Sequence, residues 1–160
     1  MLPLIARALA LGGRNRAEEQ EIELTVDTTQ LRALAEKVKR LGPNNVHIRH
    51  GLTIIGQNWV NRIKLNFRRS VSPYGDAWAP IHHRQGQPLI DTGALRNSVK
   101  AEVRGLQIVL GSNMKYGYKH NLGIGVKKRQ FLPGAQRKLP DKWQQEYERI
   151  LVEHVQKALQ

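Results

Sequence analysis

His82 and His83, with Asp91 eight residues on and His120 farther along, are the side chains of this 160-residue chain that most invite a chemical reading. Imidazole and carboxylate together are the donor set of a metal-dependent nuclease. The spacing argues against one. Neighbouring side chains on an extended backbone point to opposite sides, so a single metal is poorly placed to take both His82 and His83. A two-metal site also needs several convergent carboxylates. Between residues 44 and 138 the only acids are Asp76, Asp91 and Glu102. The expectation is therefore that His82 and His83 lie on a loop surface and that His120 hydrogen-bonds at the end of a short helix. Cysteine is absent, which removes disulfides, a thiolate zinc site and a Cys nucleophile. The sequence has no phosphate loop, dinucleotide fingerprint, zinc helix or Gly-x-Ser-x-Gly elbow, and no nucleophile–base–orienter set. It reads as a non-enzyme without metal or cofactor.

What is unusual is the charge. Lys and Arg number 26 against 13 Asp and Glu, a net +13. Residues 44–100 carry eight basic and two acidic side chains, and residues 101–138 carry eight and one. Residues 1–43 hold seven and six, and residues 139–160 three and four. The excess is thus confined to the middle of the chain, which favours a polyanionic neighbour, either nucleic acid or an acidic protein face. Lys127-Lys128-Arg129 is the densest basic run, and Lys115 and Lys119 share its sign.

The elements that must position these groups follow from periodicity. Met1 to Leu11 is apolar apart from Arg7, with Pro3 near its start, which does not fit a secretory signal. Leu2, Ile5 and Leu9 can share a helical face, so residues 1–19 are expected to be an N-terminal arm that opens on a short amphipathic helical stretch, either docking on a neighbouring copy or disordered before Gly12-Gly13. Residues 20–160 are expected to form a single domain. Ile22, Leu24 and Val26 alternate as a strand, with Asp27, Thr28 or Thr29 capping the next helix. Leu31, Leu34, Val38 and Leu41 make that helix, stopped by Gly42-Pro43. A long helix is predicted over 47–69, with Leu52, Ile55, Trp59, Ile63 and Phe67 as its stripe. Periodicity fails from Ser70 to Thr92, a stretch too long for a passive connection. A short helix through Ser98, a hairpin turning at Gly105, a helical turn at 116–122, a brief strand at Phe131-Leu132 and a helix opened by Pro140 complete the pattern. The fold class is α+β: a small, largely antiparallel sheet packed by a long helix, an N-terminal helix and a C-terminal helix, with a long ordered loop. No run reaches the ~18 apolar residues of a membrane span, so no membrane is expected.

Several central segments stand in a telling order. Asn66-Phe67-Arg68-Arg69 precedes Ser72-Pro73-Tyr74-Gly75-Asp76-Ala77-Trp78, and Pro88-Leu89-Ile90-Asp91-Thr92-Gly93-Ala94-Leu95 follows. Then come Val109-Leu110-Gly111-Ser112, Tyr116-Gly117-Tyr118-Lys119-His120-Asn121-Leu122-Gly123 and Arg129-Gln130-Phe131-Leu132-Pro133-Gly134. In residues 20–159 the chain resembles the phage virion morphogenesis family of tail-completion proteins from Mu-like and P2-like tailed phages. Two segments depart from the family pattern. Tyr-Ala-x-x-His-Gln-x-Gly appears with Gly117 and Asn121, and Pro-x-Arg-Pro-Phe-Leu appears with Lys127 and Gln130. The second change removes proline stiffness from the loop and adds charge.

The resemblance implies a structural virion protein that completes the tail and joins it to the head. It would be assembled in the host cytoplasm and placed in the tail or neck. It implies a ring of identical subunits, expected to be a hexamer, around the DNA channel. Its partners would be tail-tube or tail-terminator proteins, head-closure or connector proteins, and genomic DNA met without sequence preference. Phe67, Pro73, Gly75, Trp78, Leu89, Thr92, Gly93, Leu95, Gly111, Tyr116, His120, Gly123, Arg129 and Phe131 would be the framework. The glycines are expected at turns or element ends, and Trp78, Leu89 and Leu95 are expected to pin the long loop. Lys115, Lys119, Lys127 and Lys128 would contact the DNA channel or a neighbouring ring. Arg129 is expected to hold a carboxylate or carbonyl inside the fold. A free, sequence-nonspecific nucleic-acid-binding protein is the alternative, although neither a helix-turn-helix nor an exposed aromatic platform is evident. A metal-dependent nuclease is less favoured still.

Overall fold

The computed structural model describes residues 6–9, 22–27, 32–134 and 137–160. In chain order the elements are β1 (Ala6–Leu9), β2 (Ile22–Asp27), α1 (Arg32–Leu41), α2 (Val46–Arg69), α3 (Ala94–Ser98), β3 (Lys100–Arg104), β4 (Gln107–Ser112), α4 (Lys115–Leu122) and α5 (Asp141–Ala158). Among the described residues the sheet runs β1-β2-β4-β3, and every pairing is antiparallel. The fold is α+β, as the periodicity implies.

The register sets which residues stand opposite one another across the sheet. Ile22, Leu24 and Val26 stand opposite Ser112, Leu110 and Ile108, and Leu110 and Ile108 stand opposite Ala101 and Val103 on β3. Ile108, Leu110 and Ser112 are buried. Ala6–Leu9 is a strand paired with β2, which corrects the expectation of a helical arm there. Four residues added to a sheet edge satisfy backbone groups that a short isolated helix would leave to water. Thr28 and Thr29, and the arm outside residues 6–9, lie outside the described residues.

α2 is the axis of the fold. Asn45 caps it: its side-chain oxygen accepts from the backbone N–H of His47 at 3.0 Å and of Ile48 at 3.3 Å. Ser70, left-handed at φ 54°, closes its other end. One side of α2 packs on β3 and β4 and another on α5, while α1 packs on α5. α5 therefore lies on α2. Gly51 and Gly56 let both neighbours come close. A Cβ at Gly51 would lie 2.9 Å from His154 Cγ on α5, and one at Gly56 would lie 2.9 Å from Ala101 Cβ on β3.

The core has two aromatic centres. Trp59 stacks on Trp143 at 6.1 Å and on Tyr147 at 5.9 Å between ring centres, joining α2 to α5. Phe67 instead meets Trp78 edge-on at 5.3 Å and Phe131 at 5.4 Å. Each such pair contributes about 0.5–1.5 kcal/mol beyond area burial. Among the described residues no helix is long and apolar enough to cross a membrane.

Candidate functional site

The Phe67 end of the core organises the residues singled out in the sequence. The long loop leaves α2 through a bridge between Val71 and Ala77. Ser72 tightens this turn: its hydroxyl accepts from the N–H of Tyr74 and of Asp76, each at 3.1 Å. Gly75 takes φ 91° there. Pro73 is buried. Trp78 is buried, and its indole N–H donates to the Gln130 carbonyl at 2.9 Å. Leu89 is half-buried against the core at φ 60°, a left-handed conformation that a branched side chain adopts at a cost. The Thr92 hydroxyl accepts from Ala94 N–H at 3.2 Å, and Gly93 caps α3 at φ 80°, placing Leu95 in the core. The long loop is thus ordered, with Trp78, Leu89 and Leu95 as its pins.

Gly111 is not at a turn. It lies within β4, paired with Lys100 and with Glu23. Phe131-Leu132 forms no strand. Asn121, buried on α4, accepts the N–H of both residues on one side-chain oxygen, at 3.0 and 2.9 Å. That satisfies the two buried donors a strand partner would otherwise take. Gly117 lies one turn before Asn121 on α4, and a Cβ there would meet Leu95 Cδ1 at 2.8 Å. Neither Gly117 nor Asn121 stood out in the sequence as a contact residue. The four-residue spacing that puts them on one helical face was the available signal.

Arg129 is 8% exposed. Its Nε donates to the Ala79 carbonyl at 2.9 Å and its Nη2 to the Pro80 carbonyl at 3.1 Å, so it ties the α4 loop to the long loop. Its backbone N–H donates to the His120 carbonyl at 2.8 Å. At the start of the same loop, Gly123 at φ 78° and Ile124 both donate to the Lys119 carbonyl, at 2.8 and 2.9 Å. Gly123 is therefore the C-cap of α4, an element end as expected. A Cβ there would also lie 3.3 Å from Lys128 Cα.

Lys115 and Lys119 lie on the exposed side of α4, and Lys127 and Lys128 are exposed on the pinned loop. None of the four makes an ion pair among the described residues. Tyr116, Leu122, Ile124 and Val126, between 39 and 49% exposed, stand among them. Sequence reasoning noted the charges and missed this apolar component.

The histidines are dispersed. His82, His83 and Asp91 are exposed on the long loop. His120 is half-buried, its ring edge-on to Tyr116 at 6.5 Å. Its buried Nδ1 has no hydrogen-bond partner among the described residues, so the expected bond at the helix end is not made by that nitrogen. Burial and the nearby Arg129 charge lower its pKa. Among the described residues no group of three or more His, Asp or Glu is placed to hold a metal.

A comparison with known proteins gives a phage match. The chain is similar to the Mu-like prophage FluMu G protein 2 of Haemophilus influenzae. The two are 26% identical over 102 residues, covering 64% of this chain and 70% of that protein. The likeness supports a phage protein. No family model matches the chain, and no solved structure matches it.

Proposed function

We propose that this chain is a structural virion protein of a Mu-like tailed phage, acting where the tail is completed and joined to the head. The supporting observation is the convergence of its ordered motifs on one connected framework. Phe67, Trp78, Leu95 and Phe131 share the core end, Arg129 joins the two loops, and Asn121 fixes the chain beside Phe131. Five of the six spaced segments that resemble one family thus contribute to shaping two loops, and the sixth, Val109 to Ser112, lies in β4. The likeness to a Mu-like prophage protein points the same way.

On this reading identical subunits close into a ring by head-to-tail contacts. The ring surrounds the path of the genome, between tail-tube or tail-terminator proteins and head-closure or connector proteins. Lys115, Lys119, Lys127 and Lys128 then form a positive band facing the channel or a neighbouring ring. The framework's task is to hold that band in shape.

Native mass spectrometry of the full chain, with negative-stain images, tests the reading. A discrete ring-sized multimer, six copies by expectation, supports it. A monomer or dimer with salt-sensitive affinity for DNA of any sequence would favour the free nucleic-acid binder. Metal-dependent cleavage of DNA would favour a nuclease.

A further inference from the structure

The surface around α4 combines two chemistries that duplex DNA does not use together. Lys115 and Lys119 project from the helix, and Lys127 and Lys128 from the loop that closes it. Between Glu102 and Asp141 the sequence contains no acid. Leu122, Ile124 and Val126 occupy the same loop and its approach, each more than a third exposed. Phosphate contacts need cations and hydrogen-bond donors, and aliphatic side chains gain nothing from them. Nor can aliphatic side chains stack on the bases of a single strand, and Tyr116, 44% exposed and edge-on to His120, is one ring where a stacking platform needs several in succession. A solvated loop, for its part, has no need to be held. This one is tied at its start by two N–H donors on the Lys119 carbonyl and at its end by Arg129 N–H on the His120 carbonyl. The Arg129 side chain braces it further. Apolar side chains presented on a braced loop and surrounded by cations have the make-up of a protein interface, with a centre that loses water and a charged rim.

The matching face of a second copy is a poor occupant on charge grounds: it carries the same four lysines, with no acid between Glu102 and Asp141. Two such faces repel before they meet. Glu36, Asp76, Glu102, Asp141, Glu146 and Glu153 already lie within 4.0 Å of a basic group of their own chain. A ring contact between copies would use other surfaces.

We propose that Leu122, Ile124 and Val126, ringed by Lys115, Lys119, Lys127 and Lys128, form a docking face for a different protein whose contact surface is apolar at its centre and acidic at its rim. For the partner's setting this rests on the tail reading, and it selects a neighbouring protein over channel DNA for these lysines.

The test places a photoreactive phenylalanine analogue at position 124 of the full-length chain in cells producing particles. Cells are irradiated intact, and the cross-linked peptide is identified by mass spectrometry. The expected product joins position 124 to another protein at a site with carboxylates beside apolar residues. Lys127→Glu with Lys128→Glu should lower its yield about tenfold, because rim charges govern encounter. The same probe at the exposed Val46 on α2 should not give it. Cross-links to DNA, to this chain or to a non-acidic site, or no cross-link at all, would overturn the proposal. Absence of the chain from purified particles would refute the virion reading separately. Irradiation in whole cells decides the docking face in either case.

Discussion

Arg129 joins two loops that no secondary structure connects, so its removal should have a measurable and localised cost. Its guanidinium makes two hydrogen bonds to carbonyls, at 2.9 and 3.1 Å, from a site only 8% exposed. A hydrogen bond from a charged donor contributes about 1.5–3 kcal/mol net. Two would give up to twice that, but Pro80 is exposed and Ala79 half-buried, so water recovers part of the loss. Arg129→Ala should therefore destabilise the domain by about 2–4 kcal/mol, a large share of the ~5–15 kcal/mol available to a domain. The melting temperature should fall by about 5–15 °C. Arg129→Lys should recover less than half, because one ammonium cannot reproduce the guanidinium fork. Urea denaturation gives the global value. Hydrogen exchange should show faster amides at Ala77–Ile81 and in the loop after Gly123, with α2 and α5 changing only through the global term. Lys127→Glu with Lys128→Glu, on the same loop but exposed, should leave the urea midpoint in place. An Arg129→Ala protein with an unfolding free energy within about 1 kcal/mol of the parent and unchanged loop exchange would refute the idea that this side chain ties the loops together.

Two further perturbations test other parts of the fold. Trp59→Ala removes the ring that stacks on both Trp143 and Tyr147. It should cost about 3–5 kcal/mol, and an unchanged melting temperature would show that the α2–α5 contact is not where stability resides. His154 is 4% exposed, edge-on to His50 at 5.2 Å, and its pKa is lowered from 6.5 by burial first and then by Lys157, His50 and His47, with Glu153 opposing. A lowered histidine pKa means that the unfolded chain binds the proton more readily. The stability it gives is present above pH 6.5 and is lost as pH falls through the folded value. The melting temperature should drop between about pH 7 and pH 5, and His154→Leu should flatten that drop. Equal slopes in both proteins would rule out this histidine as the cause.

Much of the architecture was legible because it depends on local pattern. The stripe from Leu52 to Phe67 marked α2, the alternation on either side of Gly105 marked the hairpin, and Gly123 marked the end of α4. These signals report on residues within a turn or two of each other. The failures have a common physical origin. Leu2, Ile5 and Leu9 suggested a helix, yet Ala6–Leu9 is a strand because β2 offers an edge to pair with. Phe131-Leu132 suggested a strand, yet its donors go to Asn121. In both cases the backbone took the partner that tertiary structure supplied, which short-range pattern does not record.

The loop after α4 carries the same lesson into function. Judged by composition, loss of proline at Lys127 and Gln130 implies a slack basic loop. Its stiffness comes instead from four hydrogen bonds to carbonyls of α4 and of the long loop, two from the Arg129 side chain and two from Gly123 and Ile124 N–H, joined by that of Arg129 N–H at the loop's end. Proline restricts a loop through its own φ, whereas Arg129 restricts this one by fastening it to its neighbours. The two routes lead to different surfaces. A proline-stiffened loop spends its side chains on the restraint. Fastening from within leaves positions 124 to 128 open to be Ile, Gly, Val, Lys and Lys. The sequence places the cations in view, but only the braced geometry puts Ile124 and Val126 outward among them. That arrangement is what turns a charged loop into a surface with shape, and shape is what a protein partner requires and sliding DNA does not.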